Sequence, residues 1–253
     1  MPAASIDRIG ANFGQWLDGI LGVGTPQVDV VAYSMGGLIV RSYLAGLNLG
    51  NNTVSPPLGT GIRRLVLIGS PNYGISFWPT SLGGPLTQQQ SLGSSLIGDL
   101  ATWNQGMDDQ RGVPTIAIAG NGGFGSASGS DGVVSIPAAS IWWGYTRVIG
   151  PYCHTNSQLA DFLTTCSGFG SIADVEDASH PTYQIIRSFF DGTSAWATVG
   201  LDPGQATPNS GVLWRLLSNT GALLSVTGTP RVRDIEVKVR RPGGSPSSPR
   251  NDR

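Results

Sequence analysis

The segment from residue 28 to residue 41 constrains the fold of this chain more than any other segment. Residues 28–33 form a short apolar run that is typical of a buried strand. Ser34 follows among small residues, and the apolar residues after it recur at helical spacing. The pattern therefore predicts a strand, a tight turn at Ser34 and a helix, with the serine hydroxyl clear of the sheet.

This turn has the composition of a nucleophile elbow, with Ala32 where the commonest form has glycine. Small residues are expected at Ala32 and Gly36, because a side chain larger than methyl would collide with the adjoining strand or helix. The following helix directs its N-terminal amides toward any negative charge that forms beside Ser34. The Met35 amide is therefore the candidate oxyanion donor. A glycine-rich turn with an incidental serine is the alternative interpretation.

The rest of the chain alternates between strand and helix patterns. Apolar residues at helical spacing predict helices over 5–21 and 37–48 and after Pro181, and apolar runs predict strands at 64–68, 113–120 and 146–149. Such alternation is typical of an α/β fold with a mostly parallel sheet flanked by helices. We expect one catalytic domain over 1–194, with its ligand crevice at the carboxyl ends of the strands.

Two further regions depart from this alternation. Residues 75–110 are apolar and irregular, and they are expected to be a cap-like insertion or a packed excursion without mobility. Residues 195–240 contain a hairpin pattern and a strictly alternating strand pattern, which predict a small all-β appendage. Residues 241–253 are rich in Pro, Gly, Ser and Arg and are expected to be disordered.

The composition excludes several classes of partner. The net charge is −1 and charged residues make up only 12% of the 253 residues, so no nucleic-acid partner is expected. No apolar stretch approaches the ~20 residues that span a bilayer. A monomer is expected. Low charge with abundant glycine favours a secreted or periplasmic protein, although no signal peptide is visible. Cys153 and Cys166 form a local disulfide or remain two thiols.

A serine nucleophile needs a base, and the base needs an orienting acid. The best acid is Asp131, which lies in a loop after a predicted strand; Asp99, Asp108 and Asp109 fall in the insertion and fit less well. The chain has two histidines. His180 is the preferred base because it opens a helix that could close the domain, and His154, which follows a predicted strand, is the alternative.

Several motifs support a family resemblance. Residues 32–37 (Ala-Tyr-Ser-Met-Gly-Gly) resemble the elbow of bacterial lipases of the α/β-hydrolase superfamily. Residues 69–74 (Gly-Ser-Pro-Asn-Tyr-Gly) and 90–96 are similar to segments of lipases and acyltransferases related to the GPI-inositol-deacylase group. Residues 130–134 resemble the acid loop of these enzymes, and residues 179–181 resemble their histidine-to-helix step.

The resemblance spans residues 5–192 and implies a serine esterase or lipase that needs no cofactor and no metal. Its catalytic residues would be Ser34, Asp131 and His180 (or His154), acting on a small-molecule or lipid ester through an acyl-enzyme. Tyr33 stands where these relatives usually have histidine. The resemblance also implies further strands before Ser34, so the fold is expected to be N-terminally incomplete or a minimal variant. A hydrolase-fold fragment or binding module with an incomplete oxyanion hole is the alternative function.

Overall fold

A computed structural model describes most of the first two hundred residues and three short strands beyond them. The described residues are 5–22, 27–51, 53–55, 61–74, 111–123, 129–141, 144–155 and 170–199, and, by backbone alone, 214–217, 223–227 and 236–240. The predicted insertion at 75–110 and the tail at 241–253 lie outside the described residues.

Helices and strands alternate along the first part of the chain. In order, they are α1 (Ile6–Leu21), β1 (Val28–Tyr33), α2 (Met35–Ala45), β2 (Leu47–Asn48), β3 (Thr53–Val54), β4 (Ile62–Ile68), β5 (Thr115–Gly120), α3 (Ile136–Ala139), β6 (Tyr145–Ile149) and α4 (Pro181–Phe190), followed by a 3-10 turn at Ala195–Ala197. The predicted helices and core strands are confirmed, with ends that shift by a few residues.

The central sheet is parallel and has the strand order β1-β4-β5-β6. β4 pairs with β1, β5 with β4, and β6 with β5. Val31 of β1 lies opposite Val66 of β4. The residues of β5 are all buried, and so are the last four of β4, as expected for strands covered on both faces. Their carboxyl ends therefore meet along one edge of the sheet, where the crevice was predicted.

The two faces of the sheet bury different sets of side chains. Leu65 and Leu67 of β4 pack with Leu44 of α2 on one face, in a cluster that also includes Leu17 of α1. The alternate residues of the same strand, Val66 and Ile68, pack with α4 on the other face. This alternation follows from the two-residue period of a strand, and it makes the sheet the middle layer between two helical layers.

A separate unit follows the first. The chain divides between Leu201 and Asp202, and the second unit contains an antiparallel sheet with the order β7 (Trp214–Leu217), β8 (Leu223–Thr227) and β9 (Glu236–Arg240). The small all-β appendage over residues 195–240 remains a prediction. The predicted limits of the two domains, at 194 and 240, remain predictions. Among the described helices, none has the length and apolar character needed to cross a membrane.

Candidate active site

Ser34 occupies a strained turn between β1 and α2. Its backbone has φ 53° and ψ −127°, a conformation that non-glycine residues rarely adopt. The turn is held in place because the Ser34 amide donates a hydrogen bond to the carbonyl of Ile68, at 2.8 Å. The Gly37 amide in turn donates to the Ser34 carbonyl at 3.1 Å. The hydroxyl of Ser34 is thereby presented at the carboxyl edge of the sheet.

The steric demand of this turn falls on Gly37. A Cβ atom at Gly37 would lie 2.1 Å from Ser70 Oγ and 2.6 Å from Ser70 Cβ, whereas a Cβ atom at Gly36 would meet nothing within 4 Å. A methyl group would therefore fit at Gly36, as the prediction allowed, and the expected collision concerns only side chains larger than methyl. The close approach that requires glycine is at the next position, where α2 passes the loop after β4.

His154 makes a hydrogen-bond contact with Ser34. Its Nε2 atom lies 2.9 Å from Ser34 Oγ, and its Nδ1 atom lies 2.7 Å from Asp131 Oδ2. The side chains of His154 and Asp131 are 8% and 1% exposed, so this ion-pair contact is largely shielded from water. Three residues that are far apart in the sequence thus form one chain of hydrogen bonds.

The loop after β5 fixes the carboxylate of Asp131. Its Oδ1 atom accepts hydrogen bonds from the Val133 amide at 2.9 Å and the Val134 amide at 2.7 Å. The other oxygen is left to face His154. This self-closing Asx-type turn explains why an acid followed by Gly132 suits the position. Asp131 therefore lies in the loop after β5, and its role as the acid remains a prediction.

The segment after β6 carries His154 back across the strand ends. The Gly122 amide donates to the Tyr152 carbonyl at 2.8 Å, and the His154 amide donates to the Asp131 carbonyl at 2.7 Å. Cys153, between them, is disulfide-bonded and donates its amide to the Gly170 carbonyl at 2.7 Å. Cys166 lies outside the described residues. These backbone contacts bring the imidazole from the far edge of the sheet to β1.

Two glycines at strand ends make room for the buried acid and imidazole. A Cβ atom at Gly69, where φ is +53°, would lie 3.1 Å from both Asp131 Oδ2 and His154 Cε1. A Cβ atom at Gly120 would lie 2.9 Å from Asp131 Cβ. Gly69, which follows β4, and Gly120, which ends β5, therefore lie beside the site; the sequence singled out the turn at residues 69–74 but not Gly120. Their position directly after buried strands was the available signal.

The loop that begins with Gly69 is anchored by a buried arginine. Arg41 of α2 is fully buried, and its Nη1 atom donates to the Asn72 carbonyl at 3.1 Å and to Asn72 Oδ1 at 3.2 Å. Asn72 Nδ2 donates to the Ala139 carbonyl at 2.9 Å. Through these contacts, the loop beside the site links α2 to α3 and so has a structural role.

The preference for His180 as the residue beside Ser34 is wrong in this structure. His180 caps α4, because its Nδ1 atom accepts a hydrogen bond from the Thr182 amide at 3.2 Å. Its ring packs edge-on against Tyr152, with 4.4 Å between centroids. Burial lowers the pKa of His180, against the opposing effects of Asp174 and Asp177. The free amides at a helix N-terminus favour an acceptor such as Nδ1 of His180. The alternative histidine, His154, makes the contact with Ser34.

Tyr33 contacts the same histidine from the strand side. Its hydroxyl donates to the His154 carbonyl at 2.6 Å, and the two rings lie 4.9 Å apart with an interplanar angle of 32°. Burial, followed by the negative charge of Asp131, raises the pKa of Tyr33 to about 12. The sequence placed Tyr33 next to the nucleophile but gave no sign of this contact.

Met35 is the first residue of α2 and directly follows Ser34. The N-terminus of a helix concentrates partial positive charge and free amides. The Met35 amide therefore lies next to Ser34, and its role as the oxyanion donor remains a prediction. Asp99, Asp108 and Asp109, the acids that fitted less well, lie outside the described residues.

Comparisons with known proteins agree with this architecture. Residues 22–104 match the family described as Lipase (class 2). No curated protein sequence matches the chain. The match to the class 2 lipases includes the elbow at Ser34 and the loop at 69–74.

Two solved structures are similar to the chain. Phospholipase PlaB from Legionella pneumophila, in complex with thio-NAD, has 18% identity and a TM-score of 0.55, over 78% of this chain and 50% of that chain. The mature form of Bacillus licheniformis lipase BlEst2 has 20% identity and a TM-score of 0.46, over 61% of this chain and 69% of that chain. The chain thus spans half the length of the phospholipase. Residues 22–104 thus resemble the class 2 lipases, and the chain shares its fold with the phospholipase.

Proposed function

We propose that the chain is a serine hydrolase that cleaves carboxylic esters, lipid esters among them, through an acyl-enzyme. The observation that carries the proposal is the hydrogen-bonded series in which His154 lies 2.9 Å from Ser34 Oγ and 2.7 Å from Asp131. Nucleophile and base lie within hydrogen-bond reach, and an acid orients the base. The elbow, acid loop and family match point to the same chemistry.

The first step is the attack of Ser34 Oγ on the carbonyl carbon of the ester. Asp131 accepts a hydrogen bond from the Nδ1–H of His154, and this tautomer directs the lone pair of Nε2 at the serine hydroxyl. Nε2 takes the hydroxyl proton as the new C–O bond forms, and Asp131 stabilises the resulting imidazolium. Its two backbone amide donors hold the carboxylate in this orientation.

The tetrahedral intermediate then loses the alcohol. The Met35 amide donates a hydrogen bond to the oxyanion, and the imidazolium returns its proton to the departing alkoxide oxygen. Water, deprotonated by His154, next attacks the acyl carbon; the bond to Ser34 Oγ then breaks, the imidazolium returns its proton to Oγ, and the carboxylic acid is released. Loss of one oxyanion donor typically lowers kcat by ~10²–10³-fold, so activity depends on the donors that accompany Met35.

An exported location is part of the proposal. Cys153 is disulfide-bonded, and disulfides persist mainly in oxidising compartments. The low charge of the chain agrees with this location. Detection of the intact disulfide in protein isolated from the native host under alkylating conditions would support it, and free thiols would contradict it.

Labelling with a fluorophosphonate probe tests the proposed chemistry, since the probe reacts with activated serines. We expect labelling of the folded chain, and none after Ser34→Ala. His154→Ala should lower the labelling rate and p-nitrophenyl butyrate turnover by at least ~10⁴-fold, the typical effect of losing a triad base.

His180→Asn is the matched histidine control, since asparagine can also cap α4. It should label within a few fold of the unsubstituted chain. Folded protein that does not label would refute the serine-hydrolase proposal and favour the binding-module alternative. Labelling that survives His154→Ala would refute the assignment of the base.

A further inference from the structure

We propose that Tyr33 is the positioning residue that holds the His154 base in line with Ser34. This inference rests on the proposed function, because it concerns the same site. Tyr33 touches neither the reacting oxygen nor the ester in this proposal. It acts through His154, and its contribution is to alignment.

Tyr33 contacts both the backbone and the side chain of His154. Its hydroxyl donates to the carbonyl oxygen at 2.6 Å, and its ring lies 4.9 Å from the imidazole. The same carbonyl accepts a second hydrogen bond, from Ser171 Oγ at 3.0 Å, while the His154 amide donates to Asp131. The backbone of the histidine is thus held on both sides, and Tyr33 supplies the only one of these contacts that originates from β1.

The hydrogen bond from Tyr33 to the His154 carbonyl starts at the last residue of β1, and Ser34 is the next residue in the chain. The nucleophile is fixed to the end of β1 through its amide, which donates to Ile68 of the neighbouring strand. His154 arrives on a segment that follows β6, at the opposite side of the sheet. The phenol therefore ties the segment that carries the base to the strand that carries the nucleophile. Without it, the hydrogen bonds of His154 to Asp131 and Ser171 would remain, but the described residues would give its backbone no hydrogen bond from β1.

The hydroxyl remains a donor over the whole working pH range. The pKa of Tyr33 is raised to about 12, chiefly by burial and further by Asp131, so the phenol stays protonated at neutral pH. Tyr33 is 37% exposed, and its ring lies beside the imidazole of His154. Small displacements of reacting groups have large kinetic effects: a ~1 Å shift can cost about a hundredfold in rate.

The test compares Tyr33→Phe with the unsubstituted chain in fluorophosphonate labelling over time. Phenylalanine keeps the ring and removes only the hydroxyl. Tyr145→Phe is the matched control, since Tyr145 starts β6 and is 67% exposed. The final labelled fraction counts folded molecules, whereas the rate constant reports how well His154 activates Ser34. The two quantities separate alignment from folding, even when part of the variant is unfolded.

We expect Tyr33→Phe to lower the labelling rate constant about threefold to tenfold, the usual range for one hydrogen bond. The maximal labelling rate constant over the pH range should fall by the same factor. For p-nitrophenyl butyrate, kcat should fall while KM stays within twofold. Tyr145→Phe should change none of these quantities.

The outcomes distinguish this inference from the proposed function. An unsubstituted chain that folds but does not label would refute the proposed function itself. If that chain labels and Tyr33→Phe labels at the same rate, only the role of Tyr33 is overturned. A fall confined to the labelled fraction, with an unchanged rate constant, would likewise overturn it, because it would reveal a contribution to folding alone.

Discussion

At Ser34, the backbone geometry and the side-chain chemistry depend on each other. A φ of 53° costs free energy for a residue with a Cβ atom, of the order of 1–3 kcal/mol. The turn persists because β4 holds its amide and α2 begins directly after it. The strained conformation is what lifts the hydroxyl to within 2.9 Å of His154.

Asp131 offers a test of orientation that leaves the loop intact. Asp131→Asn keeps an oxygen for the two amides of Val133 and Val134 and replaces the oxygen that faces His154 with an amide donor. The imidazole should then adopt the tautomer with the proton on Nε2. We expect kcat for p-nitrophenyl butyrate to fall ~10⁴-fold while KM is nearly unchanged.

The thermal unfolding midpoint of Asp131→Asn should stay close to that of the unsubstituted chain, which shows that the loop survives. A loss of activity of less than tenfold would contradict the role of Asp131. A large fall in the unfolding midpoint, with normal activity per folded molecule, would point to a purely structural acid.

Individual residues were predictable where chemistry limits the choice, and unpredictable where packing decides. Only two histidines were available, and both sit near a turn, so the sequence reduced the base to a pair. The choice between them depends on the path of the backbone after β6, which no local pattern encodes. The same holds for Tyr33 and Gly69, whose contacts lie across the sheet.

Among the elements, α4 shows how the second histidine is used. Nδ1 of His180 accepts from the Thr182 amide, and Nε2 is buried without a partner among the described residues. In a protonated imidazole both ring nitrogens are donors, so Nδ1 could no longer accept the hydrogen bond from the Thr182 amide. Protonation would therefore break the cap and bury a charge. The burial of this charge lowers the pKa of His180, although Asp174 and Asp177 act in the opposite direction.

The lowered pKa makes the stability of the chain depend on pH. Below the unfolded pKa of about 6.5, the unfolded chain binds a proton at His180 that the folded chain still excludes. The free energy of unfolding should therefore decrease as the pH falls from about 7. His180→Asn does not titrate and should lack this part of the decrease.

Urea unfolding at pH 7.5 and pH 5.5 measures the difference directly. We expect the unsubstituted chain to lose more stability between these two pH values than His180→Asn loses, with the other titrating groups common to both. Equal losses in the two proteins would show that the cap does not exclude the proton.

The helices and strands themselves were largely predictable. Apolar periodicity located α1, β1, β4, β5, β6 and α4, because each buries one face or both faces against a neighbour. Their ends were less predictable: α2 begins at Met35, where the strained Ser34 caps it, and ends at Ala45 before Gly46 in the left-handed region. Such ends depend on single-residue backbone conformations more than on periodicity.

At the scale of the whole molecule, the segment after α4 determines where the packed part of the first unit ends. Trp196 packs edge-on against Phe189, with 5.9 Å between centroids. Arg147 of β6 donates to the carbonyl of Ala197 at 2.6 Å and to that of Val199. Residues 195–199 therefore belong to the packed layer that covers the sheet, just beyond the limit predicted from composition.

Truncation tests this limit. A chain that ends at Leu201 keeps the hydrogen-bonded site, both core clusters and the contacts of Arg147. We expect it to label with the fluorophosphonate probe at a rate within twofold of the full chain. A chain that ends at residue 194 is the matched control, and its unfolding midpoint should fall by several degrees because Trp196 and both acceptors of Arg147 are lost. Equal midpoints for the two truncations would contradict the packing role.

The α/β class of the whole molecule was predictable because alternating strands and helices admit few topologies. The strand order confirms it. The function of the C-terminal strands was not predictable, since a short antiparallel sheet carries no chemical signature of its own. Sequence reasoning therefore went furthest where a fold and a reaction impose the same residues, as they do at the elbow.

The spacing of the site along the chain also sets an order of assembly. His154 and Asp131 are 23 positions apart, whereas His154 and Ser34 are 120 positions apart. Closing the longer loop requires the parallel sheet, a slow kind of pairing to form. During synthesis Ser34 leaves the ribosome long before its partner does. In the nascent chain, Ser34 therefore lacks its hydrogen-bond partner until β6 has paired with β5 and the segment after β6 has carried His154 to the end of β1.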